Sequence, residues 1–136
     1  MKTGIRLVVA LFAAALPAAA AAGAMEECDG ATGDRTAAAK CLATLDAETQ
    51  ATLRQADTAA GRAARDVEVA TKRPGAYTAF ASSSRAFATY QQAQCDYVRA
   101  MQPDANAPQT NVPSAAEIAR MACRIDLARD RIEILK

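Results

Sequence analysis

Apolar residues recur at three- and four-residue steps along three segments of the chain, which predicts three amphipathic helices. The first segment spans residues 34–71, the second spans 76–101, and the third begins after Ser114. Strictly alternating runs typical of strands are absent from the sequence. The pattern therefore predicts an all-α fold, a three-helix antiparallel bundle.

The breaks between these segments carry clear turn signals. Lys72-Arg73-Pro74-Gly75 is short and contains proline, so it should end the first helix and turn the chain back. Residues 102–113 contain three prolines among polar residues and should form a loop. Ser114-Ala115-Ala116-Glu117 fits a capping box, which places the start of the third helix at Ser114.

Large side chains are concentrated in the second helix, which carries every aromatic residue after Phe12. Because aromatic side chains bury more area than others, this helix should be the centre of the core. The predicted core residues are Phe80, Phe87 and Tyr90, together with Ile125 of the third helix. Gly61 lies within the first helix and indicates either a close approach to another helix or a bend.

The N-terminus reads as a cleavable targeting segment. Lys2 and Arg6 precede an apolar run, residues 7–16, which is too short to span a membrane. Ala22-Gly23-Ala24 fits a small-x-small cleavage site, which predicts a signal peptide at 1–24 and a mature domain at 25–136. The segment has a bacterial character and predicts a periplasmic or secreted protein without a membrane span after cleavage. Residues 25–33 are polar and should form an extended lead-in.

Composition narrows the classes of function. Removing the signal peptide takes two of the 16 basic residues and no acidic ones, leaving 14 basic against 15 acidic, a charge of −1. Such a balance favours neither nucleic acid nor an anionic membrane as partner. The chain has no histidine, so a Ser–His or Cys–His nucleophile cannot be assembled. We therefore expect a protein that is not an enzyme and has no cofactor.

Four cysteines, Cys28, Cys41, Cys95 and Cys123, all follow the predicted signal peptide. In a small exported domain an even number of cysteines indicates disulfides rather than a metal site. Three pairings are open, and the shortest loops favour Cys28–Cys41 with Cys95–Cys123. Without histidine or a Cys-x-x-Cys pair, zinc is disfavoured and no metal ligands are predicted.

The order of these motifs resembles the LprI-like lysozyme-inhibitor domain family. The resemblance rests on the four cysteines, on Arg85-Ala86-Phe87-x-x-Tyr90 before Cys95, and on Ala122-Cys123 before a basic residue and Leu135. It covers essentially the whole mature chain. Phe87 stands where the family usually has tryptophan, and Gln91-Gln92 replaces an Arg-Asp pair. The resemblance implies a small helical exported domain and a protein partner in the cell envelope, with lysozyme as the named candidate.

Two functions follow as hypotheses. The first is a lysozyme inhibitor, in which an anionic or polar segment enters the cleft of a cationic glycosidase. The candidate partner-binding residues for it lie in the lead-in and in the loop: Glu26, Glu27, Asp29, Asp104, Asn106 and Asn111. The alternative is a structural or assembly subunit of a bacterial cell-envelope complex.

Overall fold

The computed structural model of the chain describes residues 23–29 and 34–136. Its elements are one helical turn, α1 (Ala24–Glu27), and three long helices, α2 (Arg35–Thr71), α3 (Ala76–Ala100) and α4 (Ala115–Ile134). Each long helix runs antiparallel to the one before it. The predicted all-α three-helix bundle is confirmed. The predicted signal peptide lies outside the described residues, except for Gly23 and Ala24.

Both disulfides are formed in the pairing that the short loops favoured. Cys28 is bonded to Cys41 and Cys95 to Cys123, each with a Cα–Cα distance of 5.6 Å. The first ties α1 to α2, and the second ties the C-terminal half of α3 to α4. All three long helices and the N-terminal turn are therefore held by contacts of the bundle together with two covalent links.

Helix α4 is the centre of the core, because it packs against α1, α2 and α3. Its buried apolar residues form one continuous stripe that packs against Leu42 and Leu53 of α2. The residues of this stripe are Ala116, Ile118, Ala122, Ile125, Ala128 and Ile132. In α3 the only buried residue is Cys95. The expectation that the aromatic helix forms the centre of the core was therefore wrong, because small residues let α4 approach its neighbours on several sides.

The four predicted core residues differ in how deeply they are buried. Ile125 is fully buried, whereas Phe80 and Phe87 are only partly buried. Tyr90 is 53% exposed, so its assignment to the core was wrong. The neighbouring Gln91 takes the inward position instead, and its side-chain amide donates to the carbonyl oxygen of Arg124 at 2.8 Å.

Helices α2 and α3 continue past the last packing contacts of α4 as a two-helix extension, residues 57–83. Gly61 lies under Phe80 there, and a Cβ on Gly61 would be 3.0 Å from Cε1 of the ring. Gly61 therefore marks a close helix–helix approach, one of the two interpretations that the sequence left open. Nearby, the Arg65 guanidinium lies 4.0 Å from the centre of the Tyr77 ring, a cation–π contact.

The α2–α3 turn is closed by a side chain of α2. Lys72 is left-handed with φ 54°, and Gly75 adopts φ 117°, a conformation that glycine adopts readily. The Glu68 carboxylate accepts the backbone N–H groups of Gly75 at 2.8 Å and Tyr77 at 2.9 Å. These two bonds satisfy donors at the start of α3 and hold the turn.

Residues 25–33 were expected to be extended, but residues 25–27 belong to the helical turn Ala24–Glu27, and residues 30–33 lie outside the described part of the chain. So short a helix is unstable alone, so α4 must hold it. Asp126 accepts the N–H of Ala24 at 2.9 Å, and Glu27 pairs with Arg129. The expectation was wrong because tertiary contacts supply what the local sequence lacks.

Candidate functional site: the α3–α4 loop

The segment that joins α3 to α4, residues 102–113, is the longest described stretch outside helices, and we call it the α3–α4 loop. Its first half is fixed by Asp104. The carboxylate oxygens of Asp104 accept the N–H of Ala115 at 2.7 Å and of Ala116 at 3.0 Å, while Ser114 Oγ accepts the N–H of Glu117 at 3.1 Å. The start of α4 is thus capped twice.

These bonds lower the pKa of Asp104 below its ordinary value, with the N–H of Ala115 as the main cause. The Arg35 guanidinium, 3.6 Å from the carboxylate, lowers the pKa further. Asp104 is therefore charged at neutral pH. Through it the loop is tied to the first turn of α4 and to the first turn of α2.

The base of the loop is held by covalent and ionic links between α3 and α4. Cys95 is 1% exposed and joins Cys123 of α4. One residue further along α3, the Asp96 carboxylate lies 2.8 Å from Nε of Arg120. Arg99 donates from Nη2 to the carbonyl oxygen of Ala105, a long bond of 3.5 Å. The two ends of the loop therefore cannot separate easily.

Beyond these anchors the loop projects into solvent. Residues 106–112 are all exposed, including Asn106 and Asn111. Thr110 organises this stretch locally: its hydroxyl donates to the carbonyl oxygen of Val112 at 2.9 Å and accepts the N–H of Val112 at 3.3 Å. We call residues 106–112 the loop tip. It is a mainly polar surface on a fixed base, and its largest exposed apolar side chain is Val112, at 52% exposure.

Two hollows flank the loop. One, of about 290 Å³, lies between the loop and Arg35 at the start of α2. The other, of about 570 Å³, is bordered by Gln109 and Pro113 and by the Asp96–Arg120 ion pair. Both are lined by residues of both charges, and neither is a closed cavity.

The acidic residues of the N-terminal segment lie elsewhere on the molecule. Glu27 forms a two-point ion pair with Arg129, at 2.6 and 2.9 Å, which lowers the pKa of Glu27 and raises that of Arg129. Glu26 is exposed. Asp29, also exposed, has a left-handed backbone with φ 49°. Arg129, the α4 residue that pairs with Glu27, lies fourteen residues after Ala115, where the loop is anchored. At 1.5 Å per residue, the two contacts are about 20 Å apart along the helix.

The structure does not bring the six predicted partner-binding residues together. Glu27 and Asp104 are occupied by an ion pair and a helix cap. Glu26 and Asp29 are exposed in the N-terminal segment, whereas Asn106 and Asn111 are exposed at the loop tip. Gln109 and Thr110 also belong to this surface and were not singled out from the sequence. The cluster of prolines around them was the available signal, because it limits the conformations of an exposed segment.

Within residues 23–29 and 34–136, no cluster of three or more carboxylate or cysteine side chains is arranged to hold a metal ion. None of the helices in that part of the chain combines the length and the apolar character needed to cross a bilayer.

Comparison with known proteins identifies the family. Residues 28–135 match the family described as Lysozyme inhibitor LprI, a match that covers most of the chain. No curated protein and no solved structure matches the chain. The match begins at Cys28, which opens the first disulfide, and ends at Leu135, which packs beside Leu53 and Ile132. The matched region contains the three long helices and both disulfides of the bundle. The chain therefore belongs to the lysozyme inhibitor LprI family.

Proposed function

We propose that this protein is an exported inhibitor of lysozyme, and that the tip of the α3–α4 loop enters the polysaccharide-binding cleft of the enzyme. Membership of the LprI family supports inhibition as the activity. Two disulfides suit an oxidising compartment such as the periplasm or the cell exterior, where a lysozyme would be met. The protein acts by binding and blocking, and carries out no chemistry of its own.

The observation that carries the proposal is the anchoring of an exposed polar tip on a fixed base. A loop that is already ordered loses little conformational entropy when it binds, which leaves more of the contact energy as affinity. Asp104 fixes one side through its bonds to Ala115 and Ala116, and Cys95–Cys123 fixes the base. The same logic explains why rigid loops make effective protein inhibitors of enzymes.

The chemistry of the tip matches a cleft that normally holds sugars. Such a cleft presents hydrogen-bonding groups spaced for hydroxyl and amide partners, together with catalytic carboxylates. The side-chain amides of Asn106, Gln109 and Asn111 can both donate and accept hydrogen bonds. Neutral amides can serve those groups without a strong charge, which agrees with the charge of −1 left after the predicted signal peptide is removed. The acidic N-terminal residues need not take part.

The experiment is a lysis assay with the oxidised, exported protein and a purified lysozyme, following the turbidity of a cell suspension. We expect lysis to slow in proportion to the inhibitor until the two proteins are equimolar. Undiminished lysis at micromolar excess would contradict the proposed function. Binding measured by calorimetry in parallel separates weak binding from no binding.

A matched pair of variants tests the site. Asn106→Ala with Asn111→Ala removes two exposed amides from the loop tip, and we expect inhibition to weaken roughly thirtyfold, since each of the two lost hydrogen bonds contributes about 1 kcal/mol. Gln55→Ala with Gln92→Ala removes two exposed amides from α2 and α3 and should leave inhibition unchanged. Equal loss in both variants would place the contact surface elsewhere.

A further inference from the structure

We infer that the chain is cut between Ala22 and Gly23, so that the mature protein begins at Gly23. The processing enzyme would be an endopeptidase that accepts small residues before the scissile bond, as signal peptidases do. This position lies two residues before the one that the small-x-small pattern at Ala22-Gly23-Ala24 indicates. The inference is independent of the proposed binding to lysozyme.

The first reason is that Ala24 belongs to the core. Its exposure is 0%, and it lies in the same buried cluster as Leu42, Ile118 and Ile125. A cut after Ala24 would remove this residue and leave its place open. It would also create a charged ammonium group on Met25, which packs against the same cluster. Placing a charge beside an apolar cluster is unfavourable.

The second reason is that Gly23 supplies the first acceptor of α1. Its carbonyl oxygen accepts the N–H of Glu26 at 2.9 Å and of Glu27 at 3.1 Å. The next peptide group, between Gly23 and Ala24, donates its N–H to Asp126 Oδ1 at 2.9 Å. A chain that began at Met25 would lose all three bonds: two that close the helical turn, and the one from Ala24 to Asp126 that joins the turn to α4.

The third reason is that a cut before Gly23 suits both the sequence and its surroundings. Residues 18–22 are all alanine, so Ala20 and Ala22 provide the two small residues that a small-x-small site requires. Hydrolysis breaks the bond between the Ala22 carbonyl carbon and the Gly23 nitrogen. Water adds its hydroxyl to the Ala22 carbonyl carbon and a proton to the Gly23 nitrogen, which takes up a second proton and becomes an ammonium.

The new ammonium would lie beside an anion. A Cβ built on Gly23 would be 3.4 Å from Asp126 Oδ2, so the backbone of Gly23 already lies against this carboxylate. An α-amino group is mostly protonated below about pH 7.7. The Asp126 carboxylate could then hold the Gly23 ammonium and the Ala24 N–H together, and the cut would strengthen the attachment of α1.

The test is to express the full chain with export and determine the N-terminal residue of the mature protein by intact mass and N-terminal sequencing. We expect Gly23, with both disulfides formed. A mature chain that begins at Met25, or at any residue other than Gly23, overturns the inference.

Two deletion variants test the physical reason. Deleting Gly23 and Ala24 leaves the alanines in place, so the product begins at Met25 without the two residues that dock α1. We expect its melting temperature to fall by at least about 4 °C. Deleting Ala20 and Ala21 instead leaves Ala18, Ala19 and Ala22 before Gly23, and the mature protein should be unchanged in mass and melting temperature. Equal melting of the two products would overturn the stabilising role of Gly23 and Ala24.

Discussion

Asp104 caps a helix that begins eleven residues after it: its Oδ2 accepts the backbone N–H of Ala115 at 2.7 Å. The bond closes the α3–α4 loop across its base, because the residues between them project outward. An ordinary N-cap residue stands next to the helix it caps. Here the cap also fixes the shape of a loop, so that the stability of α4 and the order of the loop tip depend on one carboxylate.

The substitution Asp104→Asn should therefore lower the melting temperature at neutral pH. An amide keeps the shape of the side chain, but only one of its two end groups can accept an N–H, and the charge-assisted bonds are lost. Thermal unfolding followed by circular dichroism measures the effect. Asp130→Asn, at an exposed position of α4, is the control and should leave the melting temperature nearly unchanged. Equal melting of all three proteins would show that the cap contributes nothing.

The stability of the protein should also fall in acid, and the sign follows from three lowered pKa values. The pKa of Glu27 is lowered by Arg129, that of Glu68 by the N–H of Tyr77, and that of Asp104 by the N–H of Ala115. A lowered pKa in the folded state contributes stability above the unfolded value, which is 4.5 for Glu and 3.8 for Asp. This contribution is lost as the pH falls below about 4.5 and through the lowered values.

Melting curves between pH 7 and pH 2 test this acid effect. We expect a plateau above about pH 5 and a decline below it. In Asp104→Asn the decline should be smaller than in the wild type, because one of the three groups no longer titrates. A wild-type melting temperature that is independent of pH down to pH 2 would contradict the assigned contacts.

Substituting Gly61 should disturb the two-helix extension. A Cβ at Gly61 would be 3.0 Å from the Phe80 ring, so Gly61→Val should destabilise the protein by about 1–3 kcal/mol through overpacking. Chemical denaturation measures the change in the free energy of unfolding. Ala63→Val, at an exposed position of the same helix, measures the cost of a valine without the clash; because glycine has an even lower helix propensity than valine, a loss at Gly61 is due to overpacking. Combining Gly61→Val with Phe80→Ala should remove most of the clash, and additive losses would contradict the contact.

The position of α4 at the centre predicts which core substitution matters most. Ile125 is fully buried, and Ile125→Ala should destabilise the protein by about 2–5 kcal/mol. Phe87→Ala removes a larger side chain, but Phe87 is partly exposed, and we expect a smaller loss of about 1–3 kcal/mol. Urea unfolding of the two variants gives the comparison. A greater loss at Phe87 would restore α3 as the centre of the core.

Removing each disulfide should have a different effect. Cys95→Ala with Cys123→Ala opens a link between residues 28 positions apart and should lower stability by about 3.5 kcal/mol, against about 3 kcal/mol for Cys28→Ala with Cys41→Ala, whose separation is 13. Under the proposed function, the first variant should also lose inhibition at temperatures where it remains folded, because the base of the loop is released. Equal inhibition by both variants would indicate that the disulfide does not order the loop.

Much of the architecture was readable from the sequence because it depends on local signals. Helix periodicity, Pro74 and Gly75, and the Ser114 cap fixed the bounds of the helices closely, as when α3 ends at Ala100 against a predicted 101. Of the three disulfide pairings that the sequence left open, the structure has the one that the short loops favoured. The candidate site was harder to predict from the sequence. Asn106 and Asn111 belong to the exposed tip, but the sequence could not distinguish them from Asp104, which caps α4 through backbone groups eleven and twelve residues away.

The sequence by itself determined the class of the fold, the number of long helices and the cysteine framework, because periodicity, turn residues and spacing act over a few residues. Only the tertiary structure decided which helix lies at the centre, which way Tyr90 and Gln91 point, and which carboxylates are occupied. These depend on how small residues let helices approach one another. The buried Ala24 shows the difference: in the sequence it is one more alanine of the N-terminal run, and in the fold it is part of the core.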